Sequence, residues 1–233
     1  MPDEKLVPFA YSWGYESLLQ GSDELRAQKT PLRAELGIPA DSWVILFCGR
    51  LNWEKSPADL LEAYRRVNLP NKALVFVGDG DLKQDLEDQV DRCGLESVYF
   101  PGFKDRNELP NYYAIADVLV LPSHRETWGM VVNEAMCFGL PVIVSDQVGA
   151  GIDLVRHGYN GFEYPRGDVD ALAGRIQQIA QLPEAESELF GIRSKQMVRE
   201  WLERDLVQSL THYLDGIYDL RNGNRGRSAP VGR

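Results

Sequence analysis

Residues that build metal centres or disulfide frameworks are few. The three cysteines, Cys48, Cys93 and Cys137, lie about 45 residues apart, and the histidines His124, His157 and His212 are equally scattered. Neither a metal cluster nor a disulfide scaffold follows from that spacing. Long apolar runs are also missing: the longest, such as Val118 to Leu121, fall far short of the ~20 residues that cross a bilayer. No apolar stretch of a signal peptide follows the N-terminal Met-Pro-Asp-Glu-Lys. Basic charge is in deficit, with 25 Lys and Arg against 35 Asp and Glu, a formal net charge of −10. Nucleic-acid binding draws its affinity from clustered Lys and Arg, which argues against a nucleic-acid partner; a small anion needs only local positive charge. These absences predict a reduced, soluble, cytoplasmic protein, free or peripheral at a membrane, with no transmembrane segment and no metal.

What is present is a core. At 233 residues and 44% hydrophobic content, the chain can bury roughly 70 to 75% of its unfolded surface. From Trp43 onward, short apolar runs alternate with helical patterns: WVILFCG then 56–68, ALVFVG then 81–92, SVYFPG then 108–116, DVLVLPS then 129–138, and PVIVSD. Such alternation predicts an α/β fold with a parallel sheet. Strands apolar on both faces are those covered by helices on both sides, so the sheet is expected to be doubly wound and Rossmann-like. After Asp168 the pattern is helical: 168–181, a turn at Pro183, then helices to about Leu220 carrying Met197, Trp201, Leu206, Leu210, Tyr213, Leu214 and Ile217 at near-helical spacing. Residues 1–42 read as a linker with one short helix around 23–36, residues 43–220 as the folded domain, and residues 221–233 as a disordered tail. No internal repeat interrupts this order.

In a doubly wound sheet the chemistry sits at the carboxyl ends of the strands. PSHRETWGMVVNEAMCFGLPVIVSD leaves a strand, turns and enters a helix near Gly129, so the N–H groups of Gly129, Met130 and Val131 form an anion site aided by the helix dipole. Glu126 precedes that helix and Glu134 lies one turn beyond Met130. Taken alone, the first is more readily a charge at a helix start and the second a solvated carboxylate. FCGRLNWEKS places Arg50 and Lys55 at the same crevice edge, able to clamp a diphosphate through charge-assisted contacts of about 1.5–3 kcal/mol each. Their plainer reading is a surface ion pair with Glu54 or Asp59, worth under about 1 kcal/mol. The VGDGDL run at 77–82 has glycines at a strand end but lacks the third glycine and the later acidic residue of a dinucleotide fingerprint.

Together these segments resemble the C-terminal domain of the retaining glycosyltransferases of family 4, which have the GT-B fold of two facing doubly wound domains. The resemblance runs from Phe47 to about Leu172 through Gly49-Arg50-Leu51 with Lys55, Val77 to Gly80, Phe100-Pro101-Gly102, Tyr113 to Asp117, Leu121-Pro122-Ser123, Glu126 to Glu134, Gly139 to Val142, and Asn160-Gly161. It implies a nucleoside-diphosphate-sugar donor, held at its diphosphate by Arg50 and Lys55, which with Glu126 would be the catalytic residues. Glu134 would accept from the ribose hydroxyls and Glu126 would face the transferred sugar. The Gly129 to Val131 amides would meet phosphate, and the backbone at Gly49, Gly102 and Phe103 would border the nucleotide. Members usually need no metal and no cofactor beyond the donor. Ser56 stands where the family has glycine after the lysine. The resemblance also implies an N-terminal acceptor-binding domain, outside these 233 residues, whose linker the VPFAYSWGYESLLQ segment resembles; it is expected in trans or in a longer form.

Two other classes compete. A non-catalytic nucleotide-binding or interaction module would use the cleft face and C-terminal helices as a partner surface. A sugar-nucleotide epimerase shares the fold and differs in leaving the nucleotide sugar intact.

Overall fold

A computed structural model describes residues 14–203. Residues 14–198 form one compact unit; a second comprises residues 1–13 and 199–233, of which 199–203 are described. Six parallel strands, β1 (Trp43–Cys48), β2 (Lys72–Val77), β3 (Val98–Gly102), β4 (Val118–Leu121), β5 (Val142–Ser145) and β6 (Gly161–Tyr164), lie in the order β3-β2-β1-β4-β5-β6. This is the expected α/β doubly wound sheet. The four inner strands are built mainly from Val, Leu, Ile, Phe and Ala and are buried almost throughout, because helices cover both faces and leave no polar side to alternate with. The outer strands show their position in their sequences: β3 is partly exposed and accommodates Pro101, and β6 turns Glu163 to solvent.

One layer is formed by α3 (Pro57–Arg66), α4 (Lys83–Cys93) and α8 (Val169–Ala180), with α3 packed on both others. Ile45, Phe47, Leu74, Phe76, Leu60, Leu172 and Phe190 meet in the core beneath it. In the other layer α1 (Tyr15–Ala27) packs on α5 (Leu109–Ile115) and α6 (Met130–Cys137), α2 (Lys29–Glu35) on α5, and α7 (Gly149–Leu154) on α6. The last helix, α9, spans Glu184–Leu202.

Several elements differ from the sequence reading. The segment before β1 holds two helices meeting at Gln28 rather than one around 23–36. From residue 14 it belongs to the compact unit of the sheet. It is latched there through Asp117, whose carboxylate accepts from Lys29 (2.5 Å), Arg33 (2.8 Å) and the Val44 N–H (2.7 Å). The sixth strand and α7 are additional, and β6 begins at the Asn160-Gly161 pair. Buried Asn160 bonds the Arg156 N–H and the Leu154 carbonyl, while a side chain at Gly161 would overlap the Val142 carbonyl, so this motif is accounted for by β6 docking on β5. The expected helices beyond residue 203, the disordered tail and residues 1–13 of the expected linker lie outside the described residues.

Candidate functional site

The strand order reverses between β1 and β4: β1 continues towards β2 and β4 towards β5, so their loops part and leave a crevice at the carboxyl ends. The loop after β1 runs from Gly49 through a 3-10 turn at Trp53–Lys55 into α3. Asn52 caps that turn by accepting from the Lys55 N–H at 3.1 Å. Ser56 then adopts left-handed backbone (φ 49°, ψ 48°), a geometry that glycine takes without strain. Its side chain is buried and meets His124 Nε2 at 3.0 Å; the same nitrogen lies 2.8 Å from Asp59.

The loop after β4 is stitched to this one. The Glu54 carbonyl accepts from the N–H groups of His124 (2.7 Å) and Arg125 (3.2 Å), and the Trp53 ring stands edge-on to His124 with centroids 5.3 Å apart. The Lys55 ammonium is ion-paired with the Glu126 carboxylate, both side chains mostly buried. The sequence alone offered Glu54 or Asp59 as the partner of Lys55; the structure selects a residue 71 positions away. Glu126 is fixed by its backbone, which bridges to Val148 as an added rung beside α7, with N–H donation from Glu126 to Gln147 and from Gly149 to Glu126. Arg50 is exposed, and its guanidinium has no partner among the described residues.

Gly129 takes a left-handed conformation (φ 96°) as the residue before α6. A side chain there would press on Leu121, Val148 and Glu126, so the glycine is required by packing beneath Glu126. Among the described residues the N–H groups of Met130 and Val131 meet no acceptor, as expected for a first helical turn. Five residues on, Glu134 is half-buried and accepts from the Tyr113 hydroxyl at 2.5 Å. Burial pushes its carboxyl above the ordinary carboxylate range, against the pull of the Tyr113 bond and the Arg106 charge.

A cleft of about 680 Å³ opens between these parts, lined by Cys48, Gly49, Arg50, Val77 to Gly80, Phe103, Lys104, Leu109 and Val131. Gly49, Arg50, Phe103 and Val131 of the sequence-predicted set line it directly. Lys55, Glu126, Gly129, Met130, Gly102 and Glu134 are not among its lining residues. Gly102 closes β3 by accepting from the Gly78 N–H at 3.0 Å, and Phe103 beyond it is 76% exposed. The VGDG run serves the neighbouring loop: side chains at Gly78 and Gly80 would overlap the carbonyls of Gly49 and Leu51. Here the β1–β2 ladder continues past both strands, from Gly49 to Val77 and from Leu51 to Asp79.

Chemically, the crevice gathers a free guanidinium, a lysine tied to a carboxylate, helix-start amides and a half-buried carboxylate. That set suits an anionic ligand with a hydroxylated neighbour. Among the described residues no group of three or more His, Cys, Asp or Glu is arranged to hold a metal ion, and no helix is long and apolar enough to cross a membrane. Sequence reasoning missed Tyr113 as the partner of Glu134 and His124 as the tie between the two loops. Neither had a local signal, since each acts across a long sequence separation.

The fold matches solved GT-B glycosyltransferases. The Anabaena protein HepE, crystallised with UDP and glucose, superposes with a TM-score of 0.70 at 26% identity, over 83% of this chain and 52% of that one. An uncharacterized glycosyltransferase of Methanocaldococcus jannaschii is 36% identical over 155 residues, 65% of this chain and 39% of that protein. A D-inositol 3-phosphate glycosyltransferase of Streptomyces griseus is 34% identical over 182 residues, 71% of this chain and 38% of that one. The chain thus spans well under two-thirds of the length of these relatives. Residues 28–196, from the start of α2 to the middle of α9, match the family described as glycosyl transferases group 1. A match across most of the chain, enclosing every strand and both loops of the crevice, places this protein in the glycosyl transferases group 1 family.

Proposed function

We propose that the chain is the donor-binding part of a retaining, family 4, hexosyltransferase-like enzyme, taking a nucleoside-diphosphate sugar without a metal. The observation that carries this reading is the meeting of Arg50, Lys55, Glu126 and the α6 amides where the loops of β1 and β4 part. In this reading Arg50 and Lys55 hold the diphosphate. Negative charge grows on that group as the glycosyl bond breaks, so their attraction is stronger in the transition state than in the ground state and lowers the barrier. Met130 and Val131 donate to a phosphate oxygen, Gly129 leaves room for it, and Glu126 accepts from hydroxyls of the transferred sugar. Glu134 accepts from the ribose, and Gly49, Gly102 and Phe103 border the nucleotide. The acceptor is supplied by a further domain, in trans or in a longer form, and the protein works in the cytoplasm, free or at the membrane surface, in polysaccharide or glycoconjugate synthesis.

HepE in complex with UDP makes UDP the first probe. UDP, GDP, ADP and dTDP are each titrated against the chain by thermal melting. At least one is expected to raise the melting temperature, and Arg50→Ala or Glu134→Ala to abolish the rise. Absence of a shift with all four rejects the proposal. The exposed Trp53, Ile152 and Phe103 on loops and helix starts at the carboxyl side give the interaction-module reading its footing. A monodisperse monomer in light scattering that also turns over donor by itself removes that alternative.

A further inference from the structure

The proposed donor contacts give no task to the buried hydroxyl of Tyr113. The side chain is 1% exposed on α5 and its ring is wedged against Phe138 with centroids 5.6 Å apart, so the ring has little freedom to re-aim its hydroxyl. That hydroxyl donates to Glu134 Oε2 at 2.5 Å. The other oxygen of Glu134 accepts nothing among the described residues. The pair is close to the cleft by construction. Leu109 lies one turn before Tyr113 and Val131 one turn before Glu134, and both line the cleft. A third lining residue, Cys48, closes β1 and is itself buried.

We infer that Tyr113 is a positioning residue: by engaging one oxygen of Glu134 from an immobile ring it aims the other at a ribose hydroxyl, and so makes the site selective for ribonucleotides over their deoxy counterparts. The inference rests on the site being one for a nucleotide sugar. A carboxylate held at one oxygen has lost the rotation that lets it follow a misplaced donor, and a ligand lacking the hydroxyl leaves the second oxygen buried without a partner. Burial holds the proton of Tyr113 on the oxygen well beyond the ordinary phenol range, so the hydroxyl stays a donor wherever the carboxylate is ionised. Beside burial, the groups acting on Glu134 are Tyr113 from α5 and Arg106 from the loop before α5, while Glu134 in turn raises the neighbouring thiol of Cys48 on β1. The other elements packed on α6, namely α1, α7, β4 and β5, add no charge to it.

The test compares dissociation constants of UDP with those of 2′-deoxy-UDP and 3′-deoxy-UDP, or the same series on GDP or ADP if that base binds better. Wild type is expected to prefer the ribonucleotide over at least one deoxy form by roughly tenfold or more, the scale of one hydrogen bond to a charged group. Tyr113→Phe is expected to keep the deoxy affinity within about twofold, by the same reasoning, while losing most of the preference. The double variant with Glu134→Gln should discriminate no worse than Glu134→Gln alone. Any preference left in Tyr113→Phe should fade at a higher pH than in wild type, because the lost bond favoured the ionised carboxylate. An undiminished preference in Tyr113→Phe, an equal loss of affinity for ribo and deoxy ligands, or additive losses in the double variant overturns the inference alone. Failure of wild type to bind any of the three ribonucleotides while dTDP binds likewise overturns the inference alone; failure with all four overturns the proposed function and this inference with it.

Discussion

At the scale of residues, the Lys55–Glu126 pair joins two side chains that the proposed function assigns to different parts of one ligand. Without a ligand each neutralises the other. Glu126→Gln should therefore free Lys55 and raise affinity for a nucleoside diphosphate at least about twofold at low salt, since this mostly buried pair is screened less than an exposed one. Calorimetry checks this, and weaker binding in the variant would show that Glu126 instead holds Lys55 in place. Glu134 carries a second expectation. Its folded pKa is raised, so relative to its ionised form it contributes stability at pH values below the unfolded carboxylate range and loses it as pH rises through the folded value. Glu134→Gln, which imitates the protonated form, should melt higher than wild type at neutral pH, with the difference closing in acid. Melting curves from pH 4 to 8 decide the point; a difference that grows in acid contradicts the assigned sign.

At the scale of elements, the two loops at the cleft edge are held together by missing side chains. Gly78→Ala forces a methyl group into the Gly49 carbonyl, backbone against backbone, and should cost roughly 3 kcal/mol in chemical denaturation, the upper end of overpacking costs. Gly94, the left-handed residue after α4, has open space around it and should lose only about 1 kcal/mol on the same change, for backbone strain alone. Equal costs would mean that the β1–β2 glycine contact is not what fixes the loop. The first five strands and their helices were legible because burial imposes a period on adjacent residues. β6 gave no such signal, being four residues long with an exposed Glu163 between buried neighbours, and neither did α7, six residues with two glycines. In α1 only Tyr15 and Ser22 are buried, too few for an apolar stripe. Motifs located the crevice residues, but the pairs that define their state, Lys55 with Glu126 and Tyr113 with Glu134, span 71 and 21 positions and depend on which loops the sheet order brings together. The VGDG run shows the converse: a motif with the look of phosphate binding has a packing role that only the structure reveals.

At the scale of the whole molecule, all the candidate residues lie within the compact unit of residues 14–198. Donor binding should therefore stabilise that unit as a body. At a nucleotide concentration about 100 times the dissociation constant, the linkage gain is about 2.7 kcal/mol, which for a domain near this size corresponds to a rise of roughly 5–10 °C in melting temperature. A rise of under 2 °C at saturation would indicate binding to a state other than the folded unit. The long-range field opposes anions, since the chain carries a formal net charge of −10. Within that field Lys55 is already occupied by a competitor on its own backbone, present at an effective concentration that no freely diffusing ion matches. A lone inorganic phosphate must displace this tethered rival with little to offer beyond charge. On the proposed function, a nucleotide sugar brings a second phosphate, a ribose and a base to the same exchange, so the resting pair would act as a filter that keeps the crevice from filling with the commonest small anions around it.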